Sequence, residues 1–192
     1  MLSRPAGLIL AGGRGLRLGG ADKALVGIGD ESLIARAARR LVPQVAALAI
    51  SANGDPGRFG LDLPVLGDTI GGAAGPLAGV LAGLDWAEEC GFQSVASVAV
   101  DTPFFPDDLV ARLVAAGAPS VAATGGQPHP TCALWPVTLR DRLRDWLDTG
   151  ERKVMAFAEI AGARTVPFPD PSAFFNINTR EDLATARTMA GR

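Results

Sequence analysis

Leu8–Leu25 reads LILAGGRGLRLGGADKAL. The run Gly7–Ala11 is apolar and short, as a buried strand should be. It opens directly into a segment with five glycines, two arginines and a lysine. Glycine lets a backbone turn sharply and come close to a ligand. Successive free N–H groups can cradle phosphate oxygens, and Arg14, Arg17 and Lys23 place positive charge in the same segment. The combination suits a nucleoside triphosphate. Two common phosphate loops fail on spacing. G-x-x-x-x-G-K-[ST] requires Ser or Thr after its lysine, and here Ala24 follows Lys23. G-x-G-x-x-G would need a glycine where Leu18 stands. A plain glycine-rich turn with solvated arginines is the rival reading. It does not account for cations concentrated at such particular intervals directly after a strand.

Working outward, apolar runs alternate with longer amphipathic stretches. Strands are expected at Gly7–Ala11, Val45–Ser51, Leu63–Leu66, Ser94–Val100, Ser120–Thr124, Thr131–Trp135 and Arg164–Phe168. Helices are expected at Ser32–Leu41, Pro76–Cys90, Pro106–Ala116, Thr138–Leu147, Lys153–Ile160 and Thr179–Thr188. Pro76 suits the first turn of its helix and Gly91 the stop. Asn178 or Thr179 can cap the last helix. Strands alternating with helices predict an α/β fold with a mostly parallel sheet covered on both faces. Ligands of such sheets lie at the carboxyl ends of the strands. The glycine loop, Asp68 and Asp101 all fall there.

The chain has 192 residues, 48% of them apolar, which suits one domain, 1–192, with a sizeable core. Its net charge of −2 argues against a nucleic-acid-binding surface. No apolar run approaches the about 20 residues of a membrane span, and the N-terminus does not read as a secretory signal. Cys90, Cys132 and the single histidine, His129, match no zinc spacing. Two reduced thiols in a cytoplasmic protein are expected.

Leu10-Ala11-Gly12-Gly13, Arg17, Gly19-Gly20, Asp22 and Lys23 resemble the signature of nucleotidyltransferases, and more narrowly that of the molybdenum cofactor guanylyltransferases of the MobA type. Relatives that load cytidine usually carry LAAG where this chain has LAGG. Asp101-Thr102-Pro103, Gly75-Pro76-Leu77-Ala78-Gly79, His129-Pro130-Thr131, Gly150–Met155 and Asn176–Thr179 also resemble family elements. The resemblance runs from Leu8 to about Leu183. It implies a three-layer Rossmann-like sandwich with one reversed strand. It also implies transfer of GMP from GTP to the molybdopterin-bound cofactor, with release of pyrophosphate.

By the same resemblance, Leu10, Ala11, Gly12, Gly13, Lys23, Asn53, Asp68 and Asp101 would contact the nucleotide. Arg17, Lys23 and Asp101 would carry catalysis, and Asp101 would hold Mg²⁺. The family often shows Asn-x-Asn where this chain has Ser51-Ala52-Asn53. Residues 51 and 53 share a face if the strand continues, and Asn53 is taken as the contact. Asp68 and Asp101 could equally be turn or cap residues, His129 a structural histidine, and Arg152 and Lys153 a solvated helix start or a seat for the pterin phosphate. Expected protein partners are a molybdenum-insertion protein or an apo-molybdoenzyme chaperone. A nucleotidyltransferase using CTP or a sugar-phosphate acceptor, a non-catalytic nucleotide-binding domain and a structural interaction protein are the alternatives. The last makes little sense of so many cations in one loop.

Overall fold

The computed structural model describes residues 4–12, 22–70 and 75–191. Among the described residues nine strands and six α-helices follow in order: β1 Ala6–Leu10, β2 Gly27–Ile28, β3 Glu31–Ser32, α1 Leu33–Leu41, β4 Ala47–Ser51, β5 Val65–Leu66, α2 Pro76–Glu89, β6 Ser94–Ala99, α3 Leu109–Ala116, β7 Ser120–Thr124, β8 Gln127–Pro136, α4 Arg140–Asp148, α5 Val154–Ile160, β9 Arg164–Phe168 and α6 Arg180–Ala190. Seven strands form one sheet in the order β5-β4-β1-β6-β8-β7-β9, and β2 pairs with β3 in a small hairpin. β8 is antiparallel to both its neighbours, and every other pairing in the large sheet is parallel.

Period-two alternation along β1 sets the layers. Ile9 points into a core shared with α1, α3 and α6. Ala6, Leu8 and Leu10 point into a second core, shared with α2, α4 and α5. The chain is therefore a three-layer α/β sandwich. The apolar stripe read on α1 is the one buried, Leu33, Ile34, Ala37, Ala38 and Leu41, and Ser32 caps the helix by accepting from the Ala35 N–H.

α2 lies unusually close to the sheet. A Cβ at Gly79 would stand 2.3 Å from Ser51 Oγ and 2.9 Å from Leu10 Cδ2, and one at Gly83 would stand 2.6 Å from Leu8 Cδ2. These glycines are four apart and share a helix face, so α2 rests its bare backbone on β1 and β4.

α3 begins at Leu109 rather than Pro106 and β5 at Val65 rather than Leu63, and two elements differ more from the sequence expectation. β8 begins four residues before Thr131, because its first half contains Pro128 and Pro130, which lack an N–H and read as strand breakers. The irregularity they impose is real: Val121 pairs with Ala133, but Ala122 pairs with His129. The extra residues bulge out of the ladder. The β2–β3 hairpin is too short to leave a periodic signal, and Gly29 makes its turn at φ 62°.

Candidate active site

In the sheet order the chain leaves β1 toward β4 and β5, then returns to the other side of β1 with β6. The crevice at the carboxyl ends of β1 and β6 is thus a topological switch point, where open α/β sheets bind ligands. The strand ends are held in register. The Leu10 carbonyl accepts from the Val100 N–H at 3.1 Å, and the Ala11 N–H donates to the Ser51 carbonyl at 2.9 Å. Leu10 and Ala11 are buried. Gly12 is exposed, and a Cβ built there would meet nothing within 4 Å. Gly13, Arg14 and Arg17 lie outside the described residues.

Lys23 begins a short turn of 3₁₀ helix, Lys23–Leu25, capped by Asp22, whose Oδ1 accepts from the Ala24 N–H at 3.0 Å. From this turn Lys23 Nζ donates to Asp101 Oδ2 at 2.8 Å and to Asn178 Oδ1 at 2.9 Å. Asp101 stands just past β6. Its own carbonyl accepts from the Ile177 N–H at 2.9 Å, which ties the segment before α6 across the crevice mouth. A capping box fixes that segment: Asp182 accepts from the Asn178 and Thr179 N–H groups, and Thr179 Oγ1 accepts from the Asp182 N–H. The donations from Asn178 and Thr179 hold the Asp182 carboxyl below the usual range. Residues 78 and 155 positions from Lys23 in sequence therefore meet on one ammonium.

Asn53 and Asp68 form a second unit beyond β4 and β5. Asn53 Nδ2 donates to Asp68 Oδ2 at 2.8 Å, and Asn53 Oδ1 accepts from the Asp68 N–H at 2.9 Å. Among the described residues no partner engages Asp68 Oδ1. Ser51 is buried, with its Oγ under Gly79, whereas Asn53 is exposed. Of the two positions in Ser51-Ala52-Asn53, only Asn53 is accessible.

The other sequence candidates have structural duties. The Arg152 guanidinium donates to the Leu147 and Glu151 carbonyls, closing the end of α4. Lys153 is exposed at the start of α5. His129 sits in the β8 bulge, bonded through Nε2 to Thr124 Oγ1 at 2.7 Å and stacked on Phe174, with ring centroids 4.4 Å apart. Burial lowers its pKa. Burial pushes the Cys132 thiol up to about 12, while Cys90 is exposed.

Among the described residues no group of three or more His, Cys, Asp or Glu side chains could hold a metal. Asp101 offers a single carboxylate. Its Oδ2 is taken by Lys23, and among the described residues its Oδ1 has only a 3.5 Å contact from Thr102 Oγ1.

Sequence reasoning did not find Arg58, whose Nε lies 2.7 Å from Asp22 Oδ2. Nor did it name Asn178 as a partner of Lys23, although the Asn176–Thr179 motif pointed to the segment. Chemically, among the described residues the crevice presents one fixed cation, one carboxylate and an amide carbonyl near the strand ends. The ammonium can donate to phosphate oxygens and stabilise charge moving between them.

The chain matches the profile of the MobA-like NTP transferase domain over residues 7–164. A protein of Cereibacter sphaeroides named molybdenum cofactor guanylyltransferase is 53% identical over 186 residues, covering 95% of each chain. A protein of Rhodobacter capsulatus with the same name is 52% identical over 187 residues, again covering 95% of each. Among solved structures, the molybdopterin-guanine dinucleotide biosynthesis protein A of Archaeoglobus fulgidus matches with a TM-score of 0.73 at 21% identity, over 97% of this chain and 98% of that one. The 2-C-methyl-D-erythritol 4-phosphate cytidylyltransferase of Thermus thermophilus matches with a TM-score of 0.70 at 20% identity, over 96% and 98%. These two likenesses concern the fold.

Proposed function

Because the chain belongs to the MobA-like NTP transferase family, we propose that this nucleotidyltransferase moves GMP from GTP to the molybdopterin-bound cofactor, forming the guanine dinucleotide and pyrophosphate. The observation that carries the reading is the 53% identity, over 95% of each chain, to a relative named for that reaction.

The chemistry asks little of the protein in proton transfer. The terminal phosphate of the pterin is ionised at neutral pH, so it attacks the α-phosphorus of GTP without a general base. The new P–O bond forms as the bond to pyrophosphate breaks. The obstacle is repulsion between two anions. Lys23 opposes it from the crevice, with Arg17 proposed as a second cation from the loop, and catalysis rests on positioning and electrostatics. Gly12 and Gly13 would let the triphosphate lie against the backbone. At the other end of the nucleotide, the accessible oxygen of Asp68, held in place by Asn53, would accept from the N–H edge of guanine.

Mg²⁺ is bound through one or two carboxylates, with phosphate oxygens and water completing its shell. Asp101, with Oδ1 lightly engaged, fits that role. When bound, the ion would neutralise phosphate charge. Handing the product to an apo-molybdoenzyme or its chaperone belongs to the same proposal.

The test is incubation of the purified protein with molybdopterin cofactor, Mg²⁺ and either GTP or CTP. Pyrophosphate release and a guanine dinucleotide detected by mass spectrometry are expected with GTP, and at least tenfold less turnover with CTP. Equal use of CTP would overturn the base assignment. GTP binding without pyrophosphate release would favour the non-catalytic alternative.

A further inference from the structure

The turn that carries Lys23 is held from outside the glycine loop. Asp22 uses both carboxylate oxygens: Oδ1 closes the turn on the Ala24 N–H, and Oδ2 accepts from Arg58 Nε at 2.7 Å. Arg58 is itself anchored. Its Nη1 donates to the Asp55 carbonyl at 2.7 Å, and its guanidinium carbon lies 4.2 Å from the centroid of the Phe59 ring, which is buried. Asp55 is fixed in turn, its Oδ1 accepting from the Gly57 N–H at 2.9 Å. A planar guanidinium stacked on one face and bonded at one edge has a single orientation left for its Nε–H. That orientation is toward Asp22. Arg58 and Asp22 are 36 positions apart, so the contact joins two loops that the strands deliver separately.

From this geometry we propose that Arg58 is a positioning residue for nucleotidyl transfer: acting through Asp22, it fixes the turn from which Lys23 reaches Asp101 and Asn178. The inference rests on the function proposed above for Lys23, but the geometry it predicts can be read without turnover. An ammonium on a long, flexible stem loses directed contact when its backbone origin shifts. Arg58 touches neither Asp101 nor Asn178, so its effect must pass through the Asp22 carboxylate. Lysine in its place would lack the planar fork and the stacking face.

The chain has two lysines, Lys23 and Lys153, which makes the test direct. Protein labelled with ¹³C at the lysine ε-carbon gives two signals. Lys153 is exposed and marks the position of a solvated ammonium. Asp101→Asn shows how far the Lys23 signal moves when its partner's charge is removed. Arg58→Met and the near-isosteric Asp22→Asn are expected to move the Lys23 signal at least halfway to that of Lys153. They should lower kcat for guanylyl transfer about tenfold and change the KM for GTP less than threefold. The double variant should be no slower than the slower single variant, within twofold. Arg58→Lys, which adds a third lysine signal and is therefore read by its rate, should fail to restore the wild-type kcat. A Lys23 signal unmoved in both Asp22→Asn and Arg58→Met would overturn the inference, as would single-variant effects on kcat that multiply. If the wild type proves unable to transfer GMP, the proposed function fails, and the lysine signals still decide whether Arg58 positions Lys23.

Discussion

At the scale of single residues, the site depends on how few groups hold Lys23. Its ammonium and the Asp101 carboxylate are 18% and 23% exposed. A pair so placed contributes on the order of 1 kcal/mol to stability, while a cation aimed at developing phosphate charge contributes more to the barrier. Lys23→Met should therefore lower kcat by about 10²–10³-fold while shifting the thermal midpoint only a few degrees, as steady-state kinetics and calorimetry on the same sample would show. The thiols give a second check. With Cys132 buried and its thiol raised to about 12, a thiol reagent at neutral pH should titrate one cysteine, Cys90, in the native protein and two after unfolding. That Lys23 and Asp101 belong to one place was legible in the sequence because each falls within a short motif that follows a strand, and the structure brings the two together. Arg58 was not, since nothing local distinguishes it from the other arginines and its partner comes from a different loop.

At the scale of elements, two departures from regularity shape the crevice. Gly79 and Gly83 let α2 lie against β1 and β4, and a methyl group at either would collide. Gly79→Ala should destabilise by about 1–3 kcal/mol despite the better helix propensity of alanine. It meets Ser51 Oγ at 2.3 Å and Ser51 Cβ at 3.1 Å, close to the β4 backbone. Gly83→Ala should cost less, because it meets the rotatable end of Leu8. Denaturant melts of the two variants would rank them. The sequence marked Pro76 as a helix start, but nothing in it said that the next glycines serve packing, because a glycine inside a helix reads only as a weak point. The β8 bulge is the other departure, and it buries His129 partway against Phe174 and Thr124. Burial disfavours the imidazolium, so the folded pKa lies below the unfolded value of about 6.5. The unfolded chain then takes up the proton first. This contribution to stability is complete above about pH 6.5 and declines as pH falls toward the folded value. Between pH 7.5 and 5.5 the wild type should lose more stability than His129→Gln, as paired urea titrations would reveal.

At the scale of the whole molecule, the alternation of apolar runs and amphipathic stretches carried the layered fold and the parallel majority of the sheet, because both follow from burying strands on two faces. The direction of a strand leaves no such imprint. That one strand is reversed followed only from family resemblance, which did not say which one; the structure shows that it is β8, and prolines hid half of its length. That reversal has a consequence for how the chain can be divided. β5, β4, β1 and β6 run one way on one side of β8, β7 and β9 run the same way on the other side, and among the described residues no ladder joins the two groups except through β8. It is the hinge-pin of the sheet, and it comes late in the chain. A ribosome that has delivered everything through β7 has made β1, β4, β5 and β6 but left the flank of β6 open, a row of unpaired amides able to recruit another chain. Fragments ending before Gln127 should aggregate more than fragments extended through Phe168, in which β8 covers the flank of β6 and β9 that of β7, in light-scattering measurements at matched concentration.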